Sequence, residues 1–401
     1  MAFFHNRTVN LVNLHYVIGS VAMGGGGAFF SVYLLKAGLS VPAALLALAA
    51  MFALRLVLRM MLLPFGIRFG VRRLVMLGAL LMGSSYPFLV GVHGLGAGLL
   101  ALVVVSALAD TVYWPSYHAY FAAIGDADHR GQQLGVREAI TASLGIVTPL
   151  FFGWLLVAFG PRTAFFATGA VQALSAIPLL FTPDVKTPAR APGAFRAAIS
   201  SAMLFVGDGW VAAGYFITWQ IALFVALGES YLAYGGALAV AALVGAVGGL
   251  LLGRWIDAGK GGRAVFYAVG LLAAVIAMRA SVLHSPVLAV TANALGALVG
   301  CLYVPTMMTA VYNQAKRSPC VLRFQIAAEG GWDVGVTTGL SAAAAIVWSG
   351  ASIGWAIAPS LVGAAFVFVL LRRYYAAHPA ETVDAHAPPE FQSQPAEASR
   401  M

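Results

Sequence analysis

Long apolar stretches recur along the whole chain, separated by short clusters of basic, Gly and Pro residues. Most reach about 20 residues, which at about 1.5 Å of helical rise per residue crosses a hydrocarbon core of about 30 Å. Their recurrence excludes the alternating pattern of a β-barrel. The pattern predicts twelve helical spans, at approximately 9–35, 41–66, 73–92, 97–124, 132–158, 163–182, 199–227, 232–256, 264–283, 287–314, 325–349 and 353–375. His5 and Arg7 are the only basic residues ahead of the first run. That run exceeds a typical signal core, so it is expected to stay in place as the first helix.

Sliding the chain along itself by the interval from Tyr113 to Tyr303, 190 residues, also superposes Pro115 on Pro305 without a gap. The same register pairs Gly19 with Gly209, Gly24 with Gly214, Gly38 with Gly228, Arg73 with Arg263, Gly145 with Gly335, Thr148 with Thr338 and Gly160 with Gly350. Gly and Pro mark bends and close helix approaches, so two halves with one backbone plan are expected. The break between them falls at 182–196, where Pro183, Pro188 and Pro192 accompany Asp184, Lys186 and Arg190. From His378 the composition turns to Pro, Glu, Gln, Ala and Ser, too poor in apolar residues to offset the entropy of ordering. The expected organisation is a six-helix half over 1–183, a linker over 184–198, a second six-helix half over 199–376 and a disordered tail over 377–401.

Composition narrows the class. Residues are 61% apolar and 9% charged, mean hydropathy is +0.88, and a soluble domain would carry about a quarter charged residues. The chain is therefore expected to be an all-α polytopic membrane protein. Connections from odd to even spans hold only Lys36, Arg162 and Arg279, whereas the opposite side carries Arg7, Arg68, Arg72, Arg73, Arg130, Lys186, Arg190, Arg196, Arg254, Lys260, Arg263, Lys316, Arg317, Arg323, Arg372 and Arg373. This positive-inside bias places both termini in the cytoplasm. The net charge of +9 then reports topology and not a nucleic-acid partner, for which no basic soluble element exists. Cys301 and Cys320 form neither a disulfide framework nor a metal-site spacing.

Between spans 8 and 9 the chain reads Gly249-Leu-Leu-Leu-Gly253-Arg254-Trp255-Ile256-Asp257-Ala-Gly259-Lys260-Gly-Gly262-Arg263. This resembles the glycine, aspartate and basic signature of major facilitator superfamily transporters. The first-half counterpart, Gly66-Ile67-Arg68-Phe69-Gly70-Val71-Arg72-Arg73, keeps the basic part but has Ile67 where the acid should be. The resemblance covers about residues 9–375. It implies two parallel six-helix repeats that rock about a midplane site, and a cytoplasmic latch from Asp257 to Arg130 or Arg137.

Ionisable residues inside a span cost at least about 2.5 kcal/mol each at its centre, so those that persist face a cavity or a partner. Arg55 and Arg59 lie one turn apart on span 2, and Glu329 and Asp333 one turn apart on span 11. Counting helical rise puts Arg59 and Arg55 about 10 and 16 Å from the cytoplasmic side, and Glu329 and Asp333 about 7 and 13 Å. In the resembled fold these helices face each other across the seam, so the preferred pairs are Arg55 with Asp333 and Arg59 with Glu329, acting as a gate. Two alternatives stay open: a structural Arg55–Asp110 pair, and unpaired arginines that bind the solute.

On span 4, Asp110, Tyr113, Trp114, Tyr117, His118 and Phe121 recur at helical spacing and form one face. The resemblance makes spans 1, 4, 7 and 10 the cavity walls, with Asp208, Trp210, Tyr215, Trp219 and Gln220 on span 7, Asn293, Tyr303 and Asn313 on span 10, and Asn10, Asn13 and His15 on span 1. An aromatic packing face is the alternative reading. Candidates for proton coupling are Asp208, Asp110, Glu138 and His118, with Asp208 preferred because its helix holds no base. Gly24–Gly27 lacks the Lys-Ser/Thr of a phosphate loop and more plausibly lets helix 1 bend or pack closely.

The expectation is a monomeric secondary transporter of the bacterial inner membrane, moving a small anionic or zwitterionic organic solute with protons and using no cofactor. Efflux of amphipathic compounds and a non-transporting receptor or assembly factor are the alternatives. An enzyme is not expected, since no nucleophile elbow, metal cluster or phosphate loop is present.

Overall fold

The structure, a computed structural model, describes residues 6–124, 130–256 and 261–378. The helices are α1 (Arg7–Lys36), α2 (Val41–Phe69), α3 (Val71–Val90) and α4 (Ala97–Ile124). α5 and α6 are the two arms of Arg130–Leu174, which Gly160 breaks with φ 77° and ψ 168°. The second half contains α7 (Ile199–Ala226), α8 (Tyr231–Ile256), α9 (Gly261–Ser281), α10 (Pro286–Lys316), α11 (Val321–Trp348) and α12 (Ile353–Ala377). No strand occurs among the described residues.

Ten stretches of the described chain are long and apolar enough to cross a membrane. One of them, Ile140–Phe181, spans both arms around Gly160. α11 is absent from the ten although it has 28 residues, because Arg323, Glu329 and Asp333 interrupt its apolar run. The long helix left out of the ten is thus the one that carries the chemistry described below.

Backbone marks repeat at the offset read from the sequence. Gly160 and Gly350 both have positive φ (77° and 88°), as do Gly38 and Gly228 (91° and 66°), so the same turns close in both halves. The first helix of each half widens to π-helical turns at matching positions, Met23–Gly27 in α1 and Ala212–Thr218 in α7. In α1 the widening includes Gly25 at φ −85° and ψ −108°. Gly24 and Gly25 there pack against Thr148 and Phe152 of α5.

Lipid offers no hydrophobic gain for helix association, so close backbone approach must supply the packing energy. α7 and α11 meet in this way: a Cβ on Gly209 would lie 2.5 Å from the Trp332 carbonyl oxygen, and one on Gly331 would lie 2.0 Å from that of Ala202. The first half has a close approach of its own where α3 crosses α6 at Gly83 and Gly169.

The linker is pinned to both halves. Arg72 donates to the carbonyl of Thr182 at 2.6 Å, and its backbone N–H donates to Asp184. From the other half, Arg323 donates to the carbonyls of Pro188 and Ala189, both at 2.8 Å. These arginines, read from sequence only as topology markers, also fasten the chain between the halves.

Gly209→Val should disrupt the α7–α11 contact by overpacking, at about 1–3 kcal/mol. Gly236→Val, which meets nothing within 4 Å, should be tolerated. Thermal unfolding of the detergent-purified protein checks the contrast: a lower melting temperature is expected for the first variant only.

Candidate functional site

α2 and α11 run side by side at the seam between the halves, and their one-turn charge spacings interlock. Arg59 donates from Nε to Asp333 Oδ2 at 2.8 Å and from Nη1 to Glu329 Oε2 at 3.0 Å. Arg55 donates to Asp333 Oδ1, and its Nη1 lies 3.6 Å from Asp110 Oδ2 on α4. Both pairs read from the depth ladder are present, and so is the Arg55–Asp110 contact weighed against them. The three form one network centred on Asp333, which is 0% exposed and touches both guanidiniums.

Aromatic rings close the network on one side. The Arg55 guanidinium lies 5.0 Å from the ring centres of both Phe52 and Trp332, which meet edge to face at 5.1 Å. Such contacts add about 1–2 kcal/mol for a desolvated cation. The network joins two guanidiniums (Arg55, Arg59) to three carboxylates (Asp110, Glu329, Asp333), so it holds one acid in excess. Glu329 Oε1 is buried with no hydrogen-bond partner, which leaves one carboxylate oxygen of the cluster uncommitted.

Asp208 forms the second acidic centre. Tyr303 on α10 donates its hydroxyl to Asp208 Oδ1 at 2.7 Å, and the Trp332 indole is a near neighbour. No basic side chain lies within ion-pair distance of it among the described residues. Trp332 therefore stands between the gate arginine and the isolated acid. Sequence reading missed it, since an indole between two charges leaves no charge pattern of its own.

The repeat gives Tyr113 the same part in the first half. His15 on α1 accepts or donates through Nε2 to the Tyr113 hydroxyl at 3.0 Å, while its Nδ1 meets the Ser175 carbonyl at 2.7 Å. Tyr113 and Tyr117 are each 2% exposed and stack on one another at 5.7 Å, and Tyr117 stacks on Tyr16 at 5.3 Å. These two tyrosines pack inside the half, against α1 and α3, in place of the open cavity wall expected for them. Of the rest of that face, Asp110 joins the seam network, and Trp114 and His118 stack at 5.8 Å and are only half-buried.

At the opposite end of the seam, Lys36 pairs with Glu229 at 2.8 Å and Ser31 donates to Gln220 at 3.2 Å, both from one half to the other. Trp219 donates its indole N–H to Asn293 at 3.0 Å. Phe29 of α1 sits among Phe152, Tyr231 and Tyr234. Arg279, counted with the outer connections although span 9 was drawn to 283, stands in the last turn of α9 and is 4% exposed. Its guanidinium folds inward onto α7 and α10.

Asp257 lies outside the described residues, as do the side chains of Arg137 and Glu138. No group of three or more potential metal ligands occurs among the described residues. A cleft of about 570 Å³ between α2, α3 and α4 is apolar apart from Arg73 and Thr111 and stands clear of the charged seam.

Comparison with known proteins follows the geometry. The sequence model of the Major Facilitator Superfamily matches residues 14–319. No curated protein sequence matches. The crystal structure of the human organic anion transporter MFSD10 (TETRAN) superposes with a TM-score of 0.62 at 15% identity, covering 91% of this chain and 99% of that one. A POT family transporter in complex with 5-aminolevulinic acid superposes with a TM-score of 0.70 at 10% identity, covering 93% and 97%. At these identities the likeness is one of fold.

Removing one member of a buried ionic cluster strands its partners and costs about 3–5 kcal/mol. Asp333→Asn, which leaves two guanidiniums short of an acid, should therefore lower the melting temperature more than Glu329→Gln or Asp110→Asn. Unfolding of the three purified variants side by side checks the order.

Proposed function

Because this chain belongs to the Major Facilitator Superfamily and is a secondary transporter of the membrane, we propose that it carries a small anionic or zwitterionic organic solute together with protons, by rocking its two halves. The observation that carries this reading is the buried α2–α11 network, in which every ion pair but one crosses from one half to the other. A static scaffold has little use for charges that are expensive to bury and depend on the seam staying shut.

In this reading the side on which α1 begins and α12 ends is the cytoplasm, following the positive-inside bias. Arg55, Arg59, Glu329 and Asp333 close that side, and Lys36–Glu229 and Ser31–Gln220 close the other. The family signature adds Asp257 and Arg137 as the residues of a further cytoplasmic latch to be tested. The membrane is the bacterial inner membrane and the working unit a monomer.

Asp208 is the preferred proton site. It has no fixed cation beside it, and its tyrosine and indole neighbours accommodate a carboxylate that gains and loses a proton. Asp110 and Glu138 are the further acids that can share this task. Trp114, His118, Trp219, Gln220 and Tyr303 line the path of the solute, backed by Tyr113 and Tyr117 from within the first half. The arginine-rich, aromatic interior suits an anion or a zwitterion, the classes named for the two transporters of similar fold.

Uptake into proteoliposomes tests the reading, with 5-aminolevulinate, benzoate and choline as zwitterionic, anionic and cationic probes. Accumulation of the first or second, driven by an imposed pH gradient, is expected. Asp208→Asn should abolish gradient-driven accumulation while leaving exchange of labelled for unlabelled solute. No gradient-dependent flux of any probe, or unchanged accumulation by the variant, contradicts the proposal.

A further inference from the structure

We propose that Arg279 binds the carboxylate of the transported solute, at a site enclosed by Tyr215, Trp219 and Asn293 in the second half. The inference rests on the transport reading above and assigns the charge within it that reads the solute. The Arg279 guanidinium lies 4.1 Å from the ring centre of Tyr215 and 4.7 Å from that of Trp219. It donates to the backbone carbonyl of Tyr215, and its Nε lies 3.5 Å from the Ala292 carbonyl. Among the described residues no carboxylate lies within ion-pair distance of it.

Arg55 and Arg59 are neutralised by acids, whereas Arg279 and Arg323 answer only to backbone carbonyls. Of these last two, Arg323 is spent on the linker, and Arg279 alone is stacked between two aromatic rings inside its own half. A cation within a span costs at least about 2.5 kcal/mol when unpaired. Two carbonyls could be satisfied by a neutral amide side chain at no such cost. A full positive charge kept against two aromatic faces is instead what a carboxylate ligand requires, with the guanidinium fork matching its two oxygens.

The backbone is shaped to admit the guanidinium. Tyr215 lies in the π-helical stretch Ala212–Thr218 of α7, where the widened turn presents its carbonyl to Arg279. Wide turns of this kind are frequent at functional sites. On α10 the facing residue is Gly296, where a Cβ would fall 1.8 Å from Nη2 of Arg279. The Tyr215 hydroxyl donates to the Gly296 carbonyl at 2.6 Å, and Asn293 bridges Trp219 and the Ala237 carbonyl of α8.

The site also lies along the same pair of helices as Asp208. Asp208 and Tyr215 stand on α7, and Tyr303 and Gly296 meet them from α10. Tyr215, which Arg279 meets, is about 10 Å further along α7 than Asp208 by helical rise. An acid at one level and a cation at the next fit a solute whose ammonium and carboxylate are separated by several bonds. An α-amino acid, with its charges on one carbon, cannot reach both.

Equilibrium binding of radiolabelled 5-aminolevulinate to the full-length purified protein, in competition with its unlabelled methyl ester and with glycine, tests the assignment. The wild type should prefer the free acid to the ester and to glycine by tenfold or more. Arg279→Gln should bind the acid at least tenfold more weakly and lose the preference over the ester, while Arg279→Lys should retain part of it. A purely structural role would weaken acid and ester alike. If Arg279→Gln does not fold, the wild-type preference and the Arg279→Lys variant still decide the matter. Equal affinity for acid and ester, a preference that survives in Arg279→Gln, or no binding of 5-aminolevulinate by the wild type overturns the inference. In each of those cases pH-driven flux of another probe would leave the transport reading intact.

Discussion

Charge inside a hydrocarbon layer has no water to fall back on, and that constraint organises this molecule. Two guanidiniums at mid-membrane depth must be held by carboxylates, and the carboxylates come from the other half and from α4. The close glycine packing of α7 on α11 sets where Glu329 and Asp333 stand, and the one-turn spacing on α2 sets where the arginines meet them. The seam is consequently bistable. It is either closed with its charges paired, or open with those charges delivered to water or solute.

Trp332 ties that seam to a second centre. Its ring lies against Arg55 and is a near neighbour of Asp208, which Tyr303 holds from α10. A single side chain thus stands between Asp208 and the gate. In the first half the equivalent tyrosine, Tyr113, instead meets His15, which is bonded also to the Ser175 carbonyl. The two halves share the tyrosine and differ in the group it serves. The matching wide turns of α1 and α7 give each half the same place to flex.

Much of this was legible in the sequence because lipid makes the rules strict. Apolar run lengths gave the helices, and the 190-residue repeat anticipated paired glycine turns such as Gly160 and Gly350. Depth counting located the Arg55, Arg59, Glu329 and Asp333 ladder, since helical rise is fixed. It could not foresee that Asp333 serves both arginines or that Asp110 joins them, because those depend on side-chain reach. Arg279 was misplaced for a related reason: a basic residue near a helix end looks like a loop residue until its side chain is seen to turn inward. Tyr113 and Tyr117 recur on a helical face, but periodicity does not say whether that face meets a cavity or another helix. The Lys36–Glu229 pair joins connections from different halves, which no local pattern reveals.

The central claim, that the α2–α11 network holds the halves shut on the side of the termini, is tested most directly by electron paramagnetic resonance distances. Spin labels would be placed at Phe69 and Lys316 after replacing Cys301 and Cys320. Neutralising the network with Glu329→Gln and Asp333→Asn should move population from the short separation to a longer one, as expected when contacts made in only one state are removed. A distance distribution that is the same with and without those acids would contradict the account.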